Sequence, residues 1–101
     1  MKQHLFRVRP NKLNVWLEWV TELNNRKDEV VITLREENST REFATLFTID
    51  GQSYIYMAMD FAGEPVVTNL ERELNQTHRA KLSECLEFVD KGELLYDFKI
   101  E

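Results

Sequence analysis

A single cysteine, Cys85, stands among the 101 residues, so no internal disulfide can form, and this fits a reducing compartment. Proline is scarce, with two residues, and glycine occurs three times, so the chain has no low-complexity linker. No apolar run is long enough to span a bilayer. Residues 1–10, MKQHLFRVRP, lack the long apolar stretch of a secretory signal. Basic clusters are missing as well: no run of Lys and Arg exceeds two residues, and the formal net charge is -5. Nucleic acid binding needs concentrated positive surface, so it is not expected. These absences predict one cytoplasmic domain over residues 1–101, with no nucleic acid or membrane partner.

What is present is a pattern of short elements. Residues 3–9 alternate and stop at Pro10, which predicts a strand. His4, Phe6 and Val8 form one face, and Leu5, Arg7 and Arg9 the other. Asn11 is placed to cap a helix over residues 12–37, with Leu13, Trp16, Leu17, Val20, Leu23, Val31 and Leu34 as its apolar stripe. Residues 24–29 are polar and mark an exposed turn or a bend. The β-branched run 30–33 admits a strand, but Val31 and Leu34 continue the stripe and favour helix. Residues 61–64 read as a loop, and Pro65 suits the first turn of a helix carrying Val67, Leu70 and Leu74. Residues 75–77 interrupt it, with Asn75 or Thr77 as a new cap. Leu82, Cys85, Leu86 and Val89 mark a second piece that ends at Gly92. Residues 93–100 alternate again and predict the last strand, with Leu94, Tyr96, Phe98 and Ile100 on one face.

The strongest local signal lies at 41–60. Asp50-Gly51 between two alternating runs predicts a type I′ hairpin, since both residues tolerate positive φ. A two-residue loop makes paired residue numbers sum to 101. One face then sets Phe47 against Tyr54, Thr45 against Tyr56, Phe43 against Ala58 and Arg41 against Asp60. The other pairs Leu46 with Ile55, Ala44 with Met57 and Glu42 with Met59. Both faces are apolar at their centres. The element order, strand-helix-strand-strand-helix-strand, predicts an α+β fold of the ferredoxin-like, split-βαβ kind, with helices on one face of an antiparallel sheet. The aromatic face then needs other cover. Each of its large rings would bury on the order of 150–250 Å², at about 25 cal/mol per Å². A two-fold homodimer with facing sheets is therefore expected.

The segments Phe6–Lys12 (FRVRPNK), Val15–Trp19 (VWLEW), Leu46–Tyr54 (LFTIDGQSY) and His78–Leu86 (HRAKLSECL) resemble the dimeric α/β-barrel superfamily, over nearly the whole chain. In detail the chain is most similar to a small bacterial family of unknown function within it. Rhamnose mutarotases and antibiotic-biosynthesis monooxygenases are more distantly similar. The resemblance implies a barrel built by two copies and a place for a ligand. It implies no particular chemistry, because members sharing these segments have unrelated activities.

The candidate ligand-binding residues are Arg7, Tyr54, Tyr56 and His78. Arg7 would point into the barrel interior and recognise an anion, or else pair with Asp60 or Asp97. Tyr54 and Tyr56 offer an aromatic wall with hydroxyls, which suits a pocket and a dimer interface alike. His78 opens the last helix piece, as an acid-base group or as a surface or capping residue. Arg41 and Asp60 are expected to form a cross-strand ion pair. His4 is placed under the first helix. Cys85, Trp16 and Trp19 fit the core. Two His without spaced partners give no metal pattern, and no phosphate loop or nucleophile elbow occurs, so no cofactor is implied. Three readings stay open: a dimer binding a small molecule, an anion if Arg7 recognises it, between sheet and helices; a cofactor-free enzyme of mutarotase or monooxygenase type; or a structural or regulatory dimerisation module.

Overall fold

The hairpin predicted at 41–60 forms the outer half of the sheet. In the computed structural model, which describes residues 1–100, β2 (Ser39–Ile49) and β3 (Gln52–Phe61) pair in the expected register, with Phe47 opposite Tyr54 and Thr45 opposite Tyr56. Asp50 and Gly51 sit at φ 51° and 78°, the double positive φ of a type I′ turn. β1 (Lys2–Val8) pairs with β3, and β4 (Leu86–Asp90) pairs with β1, all antiparallel. The sheet order is β2-β3-β1-β4. With three helices, α1 (Leu13–Asn25), α2 (Lys27–Glu36) and α3 (Glu73–Cys85), this is an α+β fold compatible with a ferredoxin-like arrangement.

The helices cover the face carrying Phe6, Val8, Ile55, Met57 and Leu86. Val8, Trp16, Trp19, Ile55, Leu74, Cys85 and Leu86 form the buried cluster, with Phe6, Leu13, Val20, Leu23, Val30 and Leu82 packed around it. The two tryptophans sit three residues apart, so both reach the sheet from one side of α1. Fully burying such rings contributes a few kcal/mol each by area. The stripe differs from the expected one. Trp19 and Val30 lie in the core, and Leu17 is 39% exposed. For Val30, which packs against the core from α2, the cause is the break at Arg26, which resets the helical phase. Its N–H bonds to the carbonyls of both Glu22 and Leu23, and its φ and ψ are -111° and 33°. The Arg26 side chain then ties the junction down, reaching Glu29 at 2.7 Å and Glu73 at 2.6 Å. Residues 30–33 are helical, as the stripe argued.

Several expected boundaries move. Asn11 does not cap α1. It takes φ 64° in the preceding turn, and Lys12 occupies the N-cap position without a side-chain bond. Pro65 starts no helix. Residues 62–72 form a loop because the N–H groups of Ala62 and Val66 bond to the carbonyls of Asn38 and Glu37 instead of to carbonyls one turn back. Asn75 and Thr77 are inside α3, which begins at Glu73. The helix also ends at Cys85 rather than near Gly92. Leu82, Cys85, Leu86 and Val89 fit a helical period, but Leu86 and Phe88 also alternate, and pairing with Val8 and Phe6 makes them strand. Residues 93–100 belong to no helix or strand. The fourth strand comes earlier in the chain than the alternation at 93–100 indicated.

The positive φ at position 51 makes one test direct. A Cβ there would meet no atom within 4 Å, so Gly51→Ala adds backbone strain alone. It should destabilise the chain by about 1–2 kcal/mol, read as a lower urea midpoint. Gly51→Asn, which tolerates this conformation, should restore most of it.

Candidate functional site

The sheet separates the expected site residues. Arg7, Tyr54 and Tyr56 stand on the open face, away from the helices. Arg7 lies 5.9 Å from the centre of the Tyr54 ring and donates to Glu87 Oε1 at 3.2 Å. Its ion-pair partner is therefore Glu87 on β4, not Asp60 or Asp97. The Tyr56 hydroxyl donates to Gln3 Oε1 at 2.6 Å, and its ring lies 6.1 Å from that of Phe43. Arg41 and Asp60 are cross-strand neighbours, yet the guanidinium lies over the Phe43 ring, 4.8 Å from its centre, and not on the carboxylate. The open face is thus a polar-aromatic surface. Phe43 and Phe47 remain 37% and 48% exposed on it. His4, on the covered face, packs against the Phe6 and Phe88 rings at 6.0 and 5.8 Å.

His78 is on the other side. It sits inside α3, five residues past the helix start, and neither caps nor opens the helix. The Trp19 indole N–H donates to its Nδ1 at 2.9 Å. An indole can only donate, so Nδ1 must be the unprotonated nitrogen and Nε2 carries the hydrogen. Burial also pushes the imidazole below its ordinary pKa. A second proton would cost the Trp19 bond as well. His78 is accordingly held as a neutral donor.

That side chain borders a cavity of about 410 Å³ between the helices and the outer strands, a volume typical of small-molecule sites. Leu23, Val30 and Leu34 from the first two helices, Leu74 and Leu82 from α3, and Met59 from the sheet make apolar walls. The 62–72 loop adds Val67, Thr68 and Leu70. Against this lining stand Thr33, Glu37, Glu42, Asn75, His78 and Arg79. Three of them form a buried chain: Asn75 Nδ2 donates to Thr33 Oγ1 at 2.6 Å, and Thr33 Oγ1 donates to Glu37 Oε2 at 3.2 Å. Asn75 also donates to the Asn69 carbonyl at 3.0 Å, which pins the loop over the cavity. Burial raises the Glu37 carboxyl above the usual carboxylate range, against the Thr33 hydrogen bond that favours its charge. Burial also raises Glu42, and the nearby charge of Glu37 raises it further. Two reluctant carboxylates and one reluctant imidazolium share an apolar space, an arrangement seen at binding and acid-base sites.

Glu37, Glu42, Thr33 and Asn75 were not anticipated. Two signals were available. Glu42 falls on the aliphatic face of the hairpin, where an acid is out of place. Thr33 and Glu37 are also four apart on the inward side of α2, which sets both hydroxyl and carboxyl toward one point. Cys85 takes no part. It is fully buried in the core, and burial pushes its thiol up, so it is inert. Among the described residues, no group of three or more His, Cys, Asp or Glu is placed to hold a metal ion, and no helix is long and apolar enough to cross a membrane.

The fold and cavity define a small α+β protein, a four-stranded antiparallel sheet with a partly apolar chamber beneath its helices. The family model for the family of unknown function DUF6176 matches residues 1–100, and the chain belongs to that family. No curated protein and no solved structure matches the chain.

The shifted groups give the stability a pH profile. The unfolded chain takes up a proton at His78 near its ordinary pKa of about 6.5, which the folded chain resists, so this contribution is lost as pH falls below that value. Glu37 and Glu42 act in the opposite sense. The folded chain keeps their protons after the unfolded chain has lost them near 4.5, so stability falls as pH rises above that point. Urea unfolding from pH 4.5 to 8 should show Glu42→Gln with a flatter decline toward alkaline pH. His78→Gln should lose the decline on the acid side. Parallel profiles for wild type and both variants would contradict the cavity electrostatics.

Proposed function

We propose that this protein is a homodimer that binds a small, mainly apolar molecule between its sheet and helices. The observation that carries this reading is the cavity of about 410 Å³ with Glu37, Glu42, Asn75 and His78 on its apolar walls. Its polar groups select the ligand class. Two carboxyls and one Asn side-chain oxygen accept hydrogen bonds, while His78 Nε2 donates. A neutral or cationic molecule with a hydroxyl or amine matches that set better than an anion. The anionic option rested on Arg7, which lies on the opposite face of the sheet. Arg79 remains the one cation at the cavity.

The dimer reading rests on the open face. Phe43, Phe47 and Ile49 are substantially exposed along β2, beside Tyr54 and Tyr56. Contiguous apolar surface of this kind marks an interaction site, and a second copy presents the same surface by symmetry. The dimeric α/β-barrel resemblance leads to the same assembly.

A cofactor-free acid-base enzyme is the second reading, favoured by one observation: Glu42 and His78 are both shifted toward neutral forms at the same cavity. A neutral carboxylic acid can deliver a proton, and the neutral imidazole, whose basic Nδ1 is taken by Trp19, can donate a hydrogen bond from Nε2 to charge that develops on a substrate.

A thermal-shift panel of small amines, alcohols and matched carboxylates tests the ligand class. A bound compound at about 100 times its Kd should stabilise the fold by about 2.7 kcal/mol, which is roughly ten degrees or more in Tm. Amines or alcohols should do this, and Leu70→Trp, which fills the cavity, should abolish it. A preference for carboxylates would reverse the ligand assignment. Glu42→Gln separates binder from catalyst: a catalyst keeps affinity but loses turnover, whereas a pure binder has no turnover to lose. For the assembly, Tyr56→Asp should give a monomer at micromolar concentration by sedimentation. A wild-type monomer there would refute the dimer.

A further inference from the structure

Residues 91–100 are the least explained part of the molecule. They leave the sheet after β4 and belong to no strand. Their apolar side chains are open to solvent: Leu95 is 82% exposed, Tyr96 71%, Phe98 84% and Ile100 100%. Leu94, Tyr96, Phe98 and Ile100 alternate with Leu95, Asp97 and Lys99, and the Tyr96 and Phe98 rings stack 5.1 Å apart on one side. This is the pattern of a strand without a sheet.

A sheet edge without a strand exists in the same chain. β2 is the outermost strand and runs for 11 residues. Residues 43–49 of it carry no charge and no proline, so the edge has none of the usual guards against pairing. Its side chains are exposed from Phe43 to Ile49. The segment cannot add to its own β2 by continuing β4, because β1 and β3 lie between the two edges, a separation of about 14 Å at ~4.8 Å per strand. Drawn out as a strand, residues 93–100 would span about 26 Å, a length that fits most of β2.

The root of the segment is aimed toward the open face. Gly92 turns with φ 72°, and a Cβ there would come within 3.0 Å of the Gln3 side chain. Gln3 stands on the open face, where it accepts the Tyr56 hydroxyl. In a dimer whose sheets face each other about a two-fold axis along the strands, the β4 edge of one copy lies over the β2 edge of the other. The gap is one sheet spacing, about 10 Å.

We infer that residues 93–100 of each copy add as a strand to the β2 edge of the second copy, so that the dimer is an exchange of segments. The inference rests on the dimer reading above and goes past it, because it names what closes the free edge. Leu94, Tyr96 and Phe98 would continue the aromatic face begun by Phe43 and Phe47. The exposed backbone groups of both strands gain partners in the same step.

The test uses full-length chains. Thr48→Cys and Leu95→Cys are made separately, mixed, refolded together and treated with a short bismaleimide. Native Cys85 is buried and does not compete. A mixed cross-linked pair is expected, at several-fold higher yield than either variant gives alone. In parallel, the doubly substituted Tyr96→Asp/Phe98→Asp chain should show a dimer Kd raised at least tenfold, with unchanged circular dichroism. No mixed pair, together with an unchanged dimer Kd, overturns the exchange and leaves the face-to-face dimer standing. A wild-type chain that is monomeric at micromolar concentration overturns both.

Discussion

A sheet has two faces, and this chain makes helices for one of them. Everything else follows from how the two are covered. On the helix side, Trp16 and Trp19 fill the space over Val8, Ile55 and Leu86, and burial there is nearly complete. That packing cannot extend to the outer end of the hairpin, because α1 and α3 cross the middle of the sheet and α2 reaches only part of β2. The uncovered volume under α2 and the 62–72 loop is the cavity. On the other side no helix among the described residues covers Phe43 and Phe47, which stay 37% and 48% exposed. Cavity and open aromatic face are thus two results of one shortage of helix.

The polar groups of the cavity are organised by a small number of bonds. Trp19 belongs to the core by its ring and to the site by its N–H, since its bond to His78 selects which imidazole nitrogen faces outward. Asn75 does similar work from α3, holding both Thr33 and the Asn69 carbonyl. These side chains are buried with their hydrogen bonds made, and a satisfied polar network in a low-dielectric space is rigid. The carboxyls are left as the adjustable part. Their charge depends on whatever occupies the space beside them.

Much of the architecture was legible in the residues. The hairpin register followed from Asp50-Gly51 and alternation alone, because a two-residue turn leaves one way to pair the strands. The inward set Phe6 and Val8 was equally plain. The last third was not. Leu82, Cys85, Leu86 and Val89 satisfy a helical period and Leu86 and Phe88 satisfy a strand period, and only contact with β1 decides between them. Pro65 is permitted in a helix's first turn but does not require one, and hydrogen bonds to Glu37 and Asn38 from a distant part of the chain took the loop instead. The site was half visible. His78 stood out as a rare residue type. Arg7 and the tyrosines stood out for being aromatic or charged in a strand, and they mark the open face. Glu37 was hidden because a Glu near a helix end is ordinarily solvated, and its burial is a tertiary fact.

The junction between α3 and β4 has no loop. Cys85 ends the helix and Leu86 begins the strand, with the Cys85 carbonyl accepting from Arg9 at 2.8 Å. Connections of several residues absorb small displacements as torsional slack, and here there is none to absorb them. The helix that bears His78 and the strand from which residues 91–100 depart therefore move as one lever. A ligand that shifted α3 by a fraction of an ångström would transmit that shift along β4 to Gly92, and occupancy of the chamber and anything bound by residues 91–100 would be thermodynamically linked, each altering the other by the same factor.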